Sequence, residues 1–362
     1  MKKIMILVMA CVMLVGFTAC SAPATEAPVE AAPAEIADEP AAETTEAAAL
    51  EEPSEDAGAP SGDDAKRIFF VNPIKALDFF VYIEASVKKT AEEYGYTVDS
   101  VDANNDYAAA SDYISQAIVN GYDMIMLCGD KSLIPAADEA YAAGVPVINF
   151  DAYIGADNLA ARVASDNYGM GVQAGEYALE LLKEANGGEA TGKIISINFP
   201  QIETMKDRCA GFASVFEGIE GVEIQEEIPK DQFIDECQKH MDNVLTANPQ
   251  GTVDLIYGSN SGAALGALAA VEAGNRSEII VMGIDDEEGQ LNALKDPDSP
   301  YYASVAQDPV EIGKLCVEAA SKVFNGEEVG VVGVGSNLVT KENVEEFIAN
   351  EDGKKKALES YK

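Results

Sequence analysis

RIFFVNPIKALDFFVYIEASVKKTAEEYGYTVDSVD, residues 67–102, sets the fold class of the chain. It opens on the apolar run Ile68 to Asn72, passes through a stretch with helical spacing, and returns to a β-branched run at Thr97 to Asp102. Strand, helix and strand in that order is the βαβ unit of a parallel sheet. The pattern repeats. Further strands are expected at Met124 to Cys128 and Val145 to Asp151, then at Lys193 to Asn198, Val222 to Glu227, Leu255 to Gly258, Ile279 to Asp285 and Ala303 to Gln307. These runs end at small or polar residues, as strands buried on both faces do. The roughly 300 residues from Lys66 onward exceed one ordinary domain and suit two lobes of about 150. The sequence therefore predicts an α/β protein of two doubly wound parallel-sheet lobes, with Arg162 to Asn167 as the first crossing between them.

In open α/β sheets, ligands collect outside the carboxyl ends of the strands. Here those ends are polar, at Asn72, Asp151, Asn198, Asn260, Asp285 and Gln307, and an aromatic pair, Phe79 and Phe80, opens the first helix. Carboxylates accept from paired hydroxyls, amides both donate and accept, and an aromatic face packs on the C–H side of a sugar. Singly, each Asp or Asn reads equally well as a cap on the next helix. Together they predict a site for a neutral polyhydroxylated ligand.

Composition excludes several other functions. The formal net charge of −39 repels nucleic acid and anionic lipid. His240 is the sole histidine, so Ser-His-Asp or Cys-His catalysis would have to use that one residue. Cys128, Cys209, Cys237 and Cys316 form no C-x-x-C pair and imply no metal. A bridge between Cys209 and Cys237 would suit an exported protein, but isolated cysteines of this kind more often behave as small buried hydrophobes, and free thiols are expected. GGEATGK at 187–193 has Walker A spacing, but Ile194 follows where Ser or Thr is required and a strand follows where a helix should. GMGVQAG at 169–175 lacks dinucleotide spacing and reads as a close helix contact. No cofactor is expected.

The N-terminus, MKKIMILVMACVMLVGFTAC, is a lysine-tipped apolar run ending at Cys20. Ile4 to Phe17 is long enough for a signal sequence and short of the roughly 20 residues of a membrane span. Residues 1–19 are expected to be a lipoprotein signal peptide, with Cys20 as the lipid-bearing first residue of the mature chain. An ordinary secretory signal with an incidental cysteine is the competing reading. Ser21 to Ala65 carry no aromatic residue, Lys or Arg, and are expected to form a disordered acidic linker. The protein would then sit at the extracytoplasmic face of the cell membrane, held by its lipid.

Eight separated stretches carry a family resemblance. In chain order they are DFFVYIEASVKKTAEEYGY, GVPVINFDA, VASDN, KDRCAGF, VLTANP, GSNSGAALGALAAVEAG, IIVMGIDD and ASVAQDPVEIG. Together they resemble the periplasmic-type sugar-binding proteins of ABC importers, in the ribose- and galactose-binding branch. The resemblance implies a Venus-flytrap of two lobes joined by a three-strand hinge. It implies discontinuous lobes, 66–165 with 308–335 and 166–307 with 336–362. It places ligand contacts on Phe79, Phe80, Asp151, Arg208, Asn260, Asp285 and Gln307, with Asn72, Asp78 and Gln232 as further candidates. Asp286 is expected to face away from the ligand.

The chain departs from the branch at four places. Ala152 stands where the branch has a basic residue, Leu77 where a polar residue meets the sugar, Cys128 where an asparagine-type contact lies, and Gln232 where the ribose branch has an aromatic. These changes argue against strict specificity for ribose or glucose and open the site to a different aldose, a polyol or cyclitol, or a deoxygenated or otherwise less polar sugar-like molecule. The resemblance implies a monomer that delivers its ligand to the transmembrane subunits of an ABC permease; delivery to a sensor kinase or chemoreceptor is the alternative. An exported carbohydrate-cleaving enzyme, with Asp151 and Asp285 as its carboxylate pair, is the least favoured reading, and the protein is expected not to be an enzyme.

Overall fold

The computed structural model describes residues 65–362, and two six-stranded sheets organise them. The first half supplies β1 (Arg67–Asn72), α1 (Asp78–Glu93), β2 (Thr97–Asp102), α2 (Tyr107–Val119), β3 (Met124–Leu127), α3 (Ile134–Ala142), β4 (Val147–Phe150) and β5 (Ala161–Ser165). The second supplies α4 (Asn167–Ala185), β6 (Gly192–Ile197), α5 (Glu203–Ser214), β7 (Val222–Glu227), α6 (Ile234–Ala247), β8 (Leu255–Gly258), α7 (Ser261–Ala273), β9 (Ile280–Ile284), α8 (Glu288–Lys295) and β10 (Tyr301–Ala306). The chain then returns to the first sheet through α9 (Pro309–Phe324) and β11 (Gly330–Val334). It passes to the second with β12 (Asn337–Thr340) and α10 (Val344–Lys356), and a last 3-10 turn, Glu359–Tyr361, packs back on α1.

Strand order is β11-β5-β4-β3-β1-β2 in one sheet and β12-β10-β9-β8-β6-β7 in the other. The two orders are the same winding used twice, and each reverses direction beside its first strand, where a doubly wound sheet opens a crevice. The chain crosses from one sheet to the other three times, at Ser165 to Asn167, Ala306 to Pro309 and Val334 to Asn337.

The sequence pattern accounts for the layers. On β1, Ile68 and Phe70 enter one core with Ile83 and Val87 of α1 and with Ile312 and Val317 of α9. Phe69 and Val71 point to the other face, toward Ile114 of α2 and Ala137 of α3. Both faces are buried, which is why β1 shows no polar alternation. In the second sheet Ile195 and Ile197 face the α6 and α7 side, whereas Ile194 packs with Phe212 of α5. Helix starts follow their capping residues: Asp106, Asp166 and Asp308 accept from the first-turn amides of α2, α4 and α9.

Two features depart from the strand pattern anticipated above. β11 and β12 are short and exposed in part, and β11 carries two glycines, so no run of buried residues announces them. β12 pairs antiparallel with β10, so the second sheet carries one reversed edge strand on an otherwise parallel ladder. Five strands, β3, β4, β6, β9 and β10, also end one residue earlier than their runs suggest. Asp151 after β4 and Asp285 after β9 take left-handed backbone angles, with φ of 53° and 77°, and leave the ladder there.

The four cysteines Cys128, Cys209, Cys237 and Cys316 are buried free thiols. Among the described residues no helix is long and apolar enough to cross a membrane, and no group of side chains is arranged to hold a metal.

Candidate functional site

The carboxyl ends of both sheets border one cavity of about 370 Å³. Leu77, Phe79, Phe80, Asp151 and Ala152 line it from the first sheet's side. Arg208, Gln232, Asn260, Asp285, Asp286 and Gln307 are among those lining the other. Each sits just past a strand or in the first turns of the helix that follows, so the sheets fix where the chain turns and the turns aim the side chains.

Asp285 is the centre of the polar wall. Its Oδ2 accepts from the Ser261 amide at 3.0 Å, its Oδ1 accepts from Gln307 Nε2 at 2.9 Å, and Arg208 lies 3.6 Å from Oδ1. Its left-handed backbone costs on the order of 1–3 kcal/mol, and such strain persists where the surroundings over-determine it, commonly at a ligand site. Arg208 is buried in α5, donating from Nε to Asn167 Oδ1 at 2.9 Å and from a terminal nitrogen to the Ser259 carbonyl at 3.1 Å. Gln307 also accepts from Ser165 Oγ at 2.8 Å. Ser165, Asn167 and Gln307 lie at the first two crossings between the sheets, so one hydrogen-bonded chain runs from the hinge strands into the cavity wall.

Close helix packing positions Arg208. α4 and α5 approach at glycines: a Cβ at Gly171 would lie 2.0 Å from the Arg208 carbonyl oxygen, and one at Gly211 2.0 Å from that of Tyr168. Phe212 then stacks on Tyr257 of β8, ring centroids 4.0 Å apart, which fixes α5 against the sheet.

Opposite lies the less polar side. Phe79 and Phe80 meet edge to face at the start of α1, 5.2 Å between centroids. Asp151 stands behind them with Cys128 Sγ 3.9 Å from its Oδ2. Burial raises the Asp151 carboxyl above the ordinary aspartate range, although Arg208 pulls the other way. Burial and the Asp151 charge likewise push the Cys128 thiol well up, so it stays protonated.

Of the residues expected at the site, Phe79, Phe80, Asp151, Arg208, Gln232, Asn260, Asp285 and Gln307 come together. Asn260 also caps α7, its Oδ1 accepting from Ala263 at 2.9 Å, which leaves its amide to face Gln232 at 3.4 Å. The capping and lining readings thus both hold for this one residue. Asn72 does not reach the cavity; it is fully buried and donates to Glu84 at 2.8 Å and to the Phe80 carbonyl. Asn198 is likewise turned aside, toward Glu226. Asp78 lies next door, in an adjoining cavity of about 310 Å³ bordered by Leu77, Phe79, Asp286 and Lys355. Asp286, expected to face away, borders both cavities. The physical reason is the left-handed turn at Asp285, which carries the chain across the mouth before α8 begins. Ser165, Asn167 and Ser259 were not singled out, and the only signal for the first two was the quoted stretch VASDN.

A profile of the periplasmic binding protein domain matches residues 68–328. The ribose import binding protein of Bacillus subtilis is 29% identical over 254 residues, 69% of this chain and 79% of that protein. Among solved structures, an ABC transporter solute-binding protein from Mycobacterium smegmatis with bound glycerol is 28% identical at a TM-score of 0.64, covering 78% of this chain and 96% of that one. One from Bacillus halodurans with bound myo-inositol is 27% identical at 0.65, covering 80% and 99%.

Proposed function

The chain belongs to the periplasmic binding protein domain family, and from that premise we propose that it captures a sugar or sugar-like polyol between its lobes and delivers it to an ABC permease. The observation that carries the reading is the cavity itself, walled by both sheets and holding Asp285, Arg208, Asn260 and Gln307 on one side and Phe79, Phe80 and Asp151 on the other. These are hydrogen-bonding partners for hydroxyls and an aromatic platform for a ring. A ligand touching both sides binds the closed arrangement better than an open one, so binding and closure are one event. The permease would read the closed form. The relatives named for import support import over sensing, and the family consists of solute-binding proteins, so binding is the function without turnover.

The lobes are assigned as 66–165 with 308–335 and 166–307 with 336–362, a division supported by the sheet membership of the strands, except at the C-terminus, where Leu358 and Tyr361 pack on Tyr82 and Ala85 of α1 and so belong with the first lobe. The two lobes of one chain together wall the cavity, so a monomer suffices.

A ligand that binds only the folded state raises its apparent stability. Thermal unfolding against a panel of aldoses, polyols and cyclitols is expected to give an upward shift of the midpoint with at least one compound, and no product on prolonged incubation. A flat response across the panel, or consumption of a compound, sinks the reading.

Export and anchoring rest on residues 1–64, which lie outside the described residues. The signal-like run ending at Cys20 supports a lipid anchor at the extracytoplasmic face. Cys20→Ala is expected to move the protein from the membrane fraction to the soluble one while ligand binding is unchanged. Retention in the membrane fraction would refute the anchor.

A further inference from the structure

Beside the main cavity lies a second of nearly the same size, about 310 Å³ against about 370 Å³, and Leu77, Phe79, Asp286 and Glu287 border both. The two form one continuous space. The far wall is α10, which contributes Glu351 and Lys355, with Tyr82 and Pro309 alongside. That wall is fastened to both halves of the molecule. Phe347 and Ile348 pack on the core of the second sheet, Lys354 reaches Asp308 at 2.7 Å beside the second crossing, and beyond the helix Leu358 packs on Tyr82 and Ala85 of α1.

The two parts of this space differ in chemistry. In the second cavity most polar groups are engaged within the protein: Glu287 accepts from Ser261 Oγ at 2.8 Å, Glu351 pairs with Lys354 at 2.8 Å, the Tyr82 hydroxyl accepts from Lys362 at 2.9 Å, and Lys355 lies 5.2 Å over the Tyr82 ring. What remains for a ligand is apolar and aromatic surface, from Leu77, Phe79, Tyr82 and Pro309. Leu77 is an independent sign of the same thing. It occupies the N-cap position of α1, makes no capping hydrogen bond there, and stays 52% exposed where the two cavities meet. Ser, Asp or Asn at that position would satisfy a first-turn amide, so leucine forgoes helix stability and leaves apolar surface uncovered. The carboxylates bordering the second cavity outnumber Lys355, which disfavours a phosphate or carboxylate there.

We propose that the ligand is a sugar or polyol carrying an uncharged, apolar substituent, and that the second cavity is the subsite for that substituent. The proposal rests on the sugar-binding reading above and narrows it. The polyhydroxylated frame lies among Asp285, Arg208, Asn260 and Gln307. The substituent passes Leu77 and Phe79 and ends against Tyr82 and Pro309. The ligand class is therefore a glycoside or ether with a small aryl or alkyl group, and binding it covers the Leu77 side chain.

Calorimetric titration of the purified protein with matched series tests this: D-glucose, D-galactose and D-ribose, each against its phenyl α- and β-glycosides and its terminal O-benzyl ether, and myo-inositol against its mono-O-benzyl ethers. In the series whose frame binds, at least one substituted member is expected to bind about 10- to 100-fold tighter than the free compound, the range for burying one aromatic ring. A phosphate ester at the same position is expected to weaken binding. Lys355 borders the second cavity and not the main one, so Lys355→Trp fills the subsite alone. That variant is expected to lose the advantage while the free compound's affinity stays within about twofold, and Lys355→Met, which removes the charge without filling the space, is expected to keep it. Unfolding midpoints establish that both variants are folded. If a free compound binds and no substituted form binds more tightly, or if Lys355→Trp keeps the advantage or Lys355→Met loses it, the proposal is overturned and the sugar-binding reading stands. A disaccharide that gains affinity where the aryl and benzyl forms do not also overturns it, since the second cavity then takes another sugar ring. If no member of any series binds, both readings fall.

Discussion

Asp285→Ala weakens binding of any ligand found in the panel by roughly 10- to 100-fold, the cost of removing a charged partner worth about 1.5–3 kcal/mol. The side chain is held by the Ser261 amide and Gln307 and faces Arg208, so it is poised before the ligand arrives. Arg208→Ala is expected to cost a comparable amount. Because both side chains belong to one network, the double variant should lose less than the sum of the two single losses. Titration calorimetry reads all three, and unfolding midpoints establish that the variants remain folded. Wild-type affinity in both single variants would remove the cavity from consideration as the ligand site.

Gly171→Val is expected to reduce stability by about 1–3 kcal/mol or more, as overpacking of a close contact does. The reason is geometric. Any Cβ at this position of α4 falls 2.0 Å from a backbone oxygen of α5, and backbone cannot rotate away as a long side chain can. The helices must separate, and Arg208 moves with α5. The variant should therefore show both an earlier urea midpoint and weaker ligand binding. Gly353→Ala is the control, since nothing lies within 4 Å of its Cβ position in α10, and alanine there is expected to be neutral or to stabilise slightly. Equal midpoints for Gly171→Val and wild type would show that α4 and α5 are free to part.

Much of this architecture is legible in the residues because buried parallel strands leave continuous apolar runs, as at Ile68 to Val71 and Leu255 to Tyr257. The two edge strands nearest the C-terminus leave no such run: Gly330 to Val334 is largely exposed, and its place beside β5 depends on a crossing that periodicity does not encode. The site divides in the same way. Asp285 and Asn260 are readable because a strand end names its own turn. Asn72 is equally polar and equally terminal, but a buried carboxylate, Glu84, lies within reach and takes its amide. Burial would raise the Glu84 carboxyl, yet hydrogen bonds from Lys88, Ser100 and Lys75 hold it below the usual range, so Asn72 belongs to a structural charge cluster. Asp286 borders the cavity instead of facing away from it because the left-handed residue before it decides the direction of the next side chain.

The path of the chain between the sheets also governs how the protein can be made. The core under β1 includes Ile312, Cys316, Val317 and Val334, and the edge of the other sheet is closed only by Asn337 to Thr340. As the polypeptide grows, the half that emerges first waits for its missing wall until nearly the whole chain exists. Both halves are then completed within a few residues of each other. No single cut in the backbone releases either half intact, so a fragment of either kind would be born with an open apolar face.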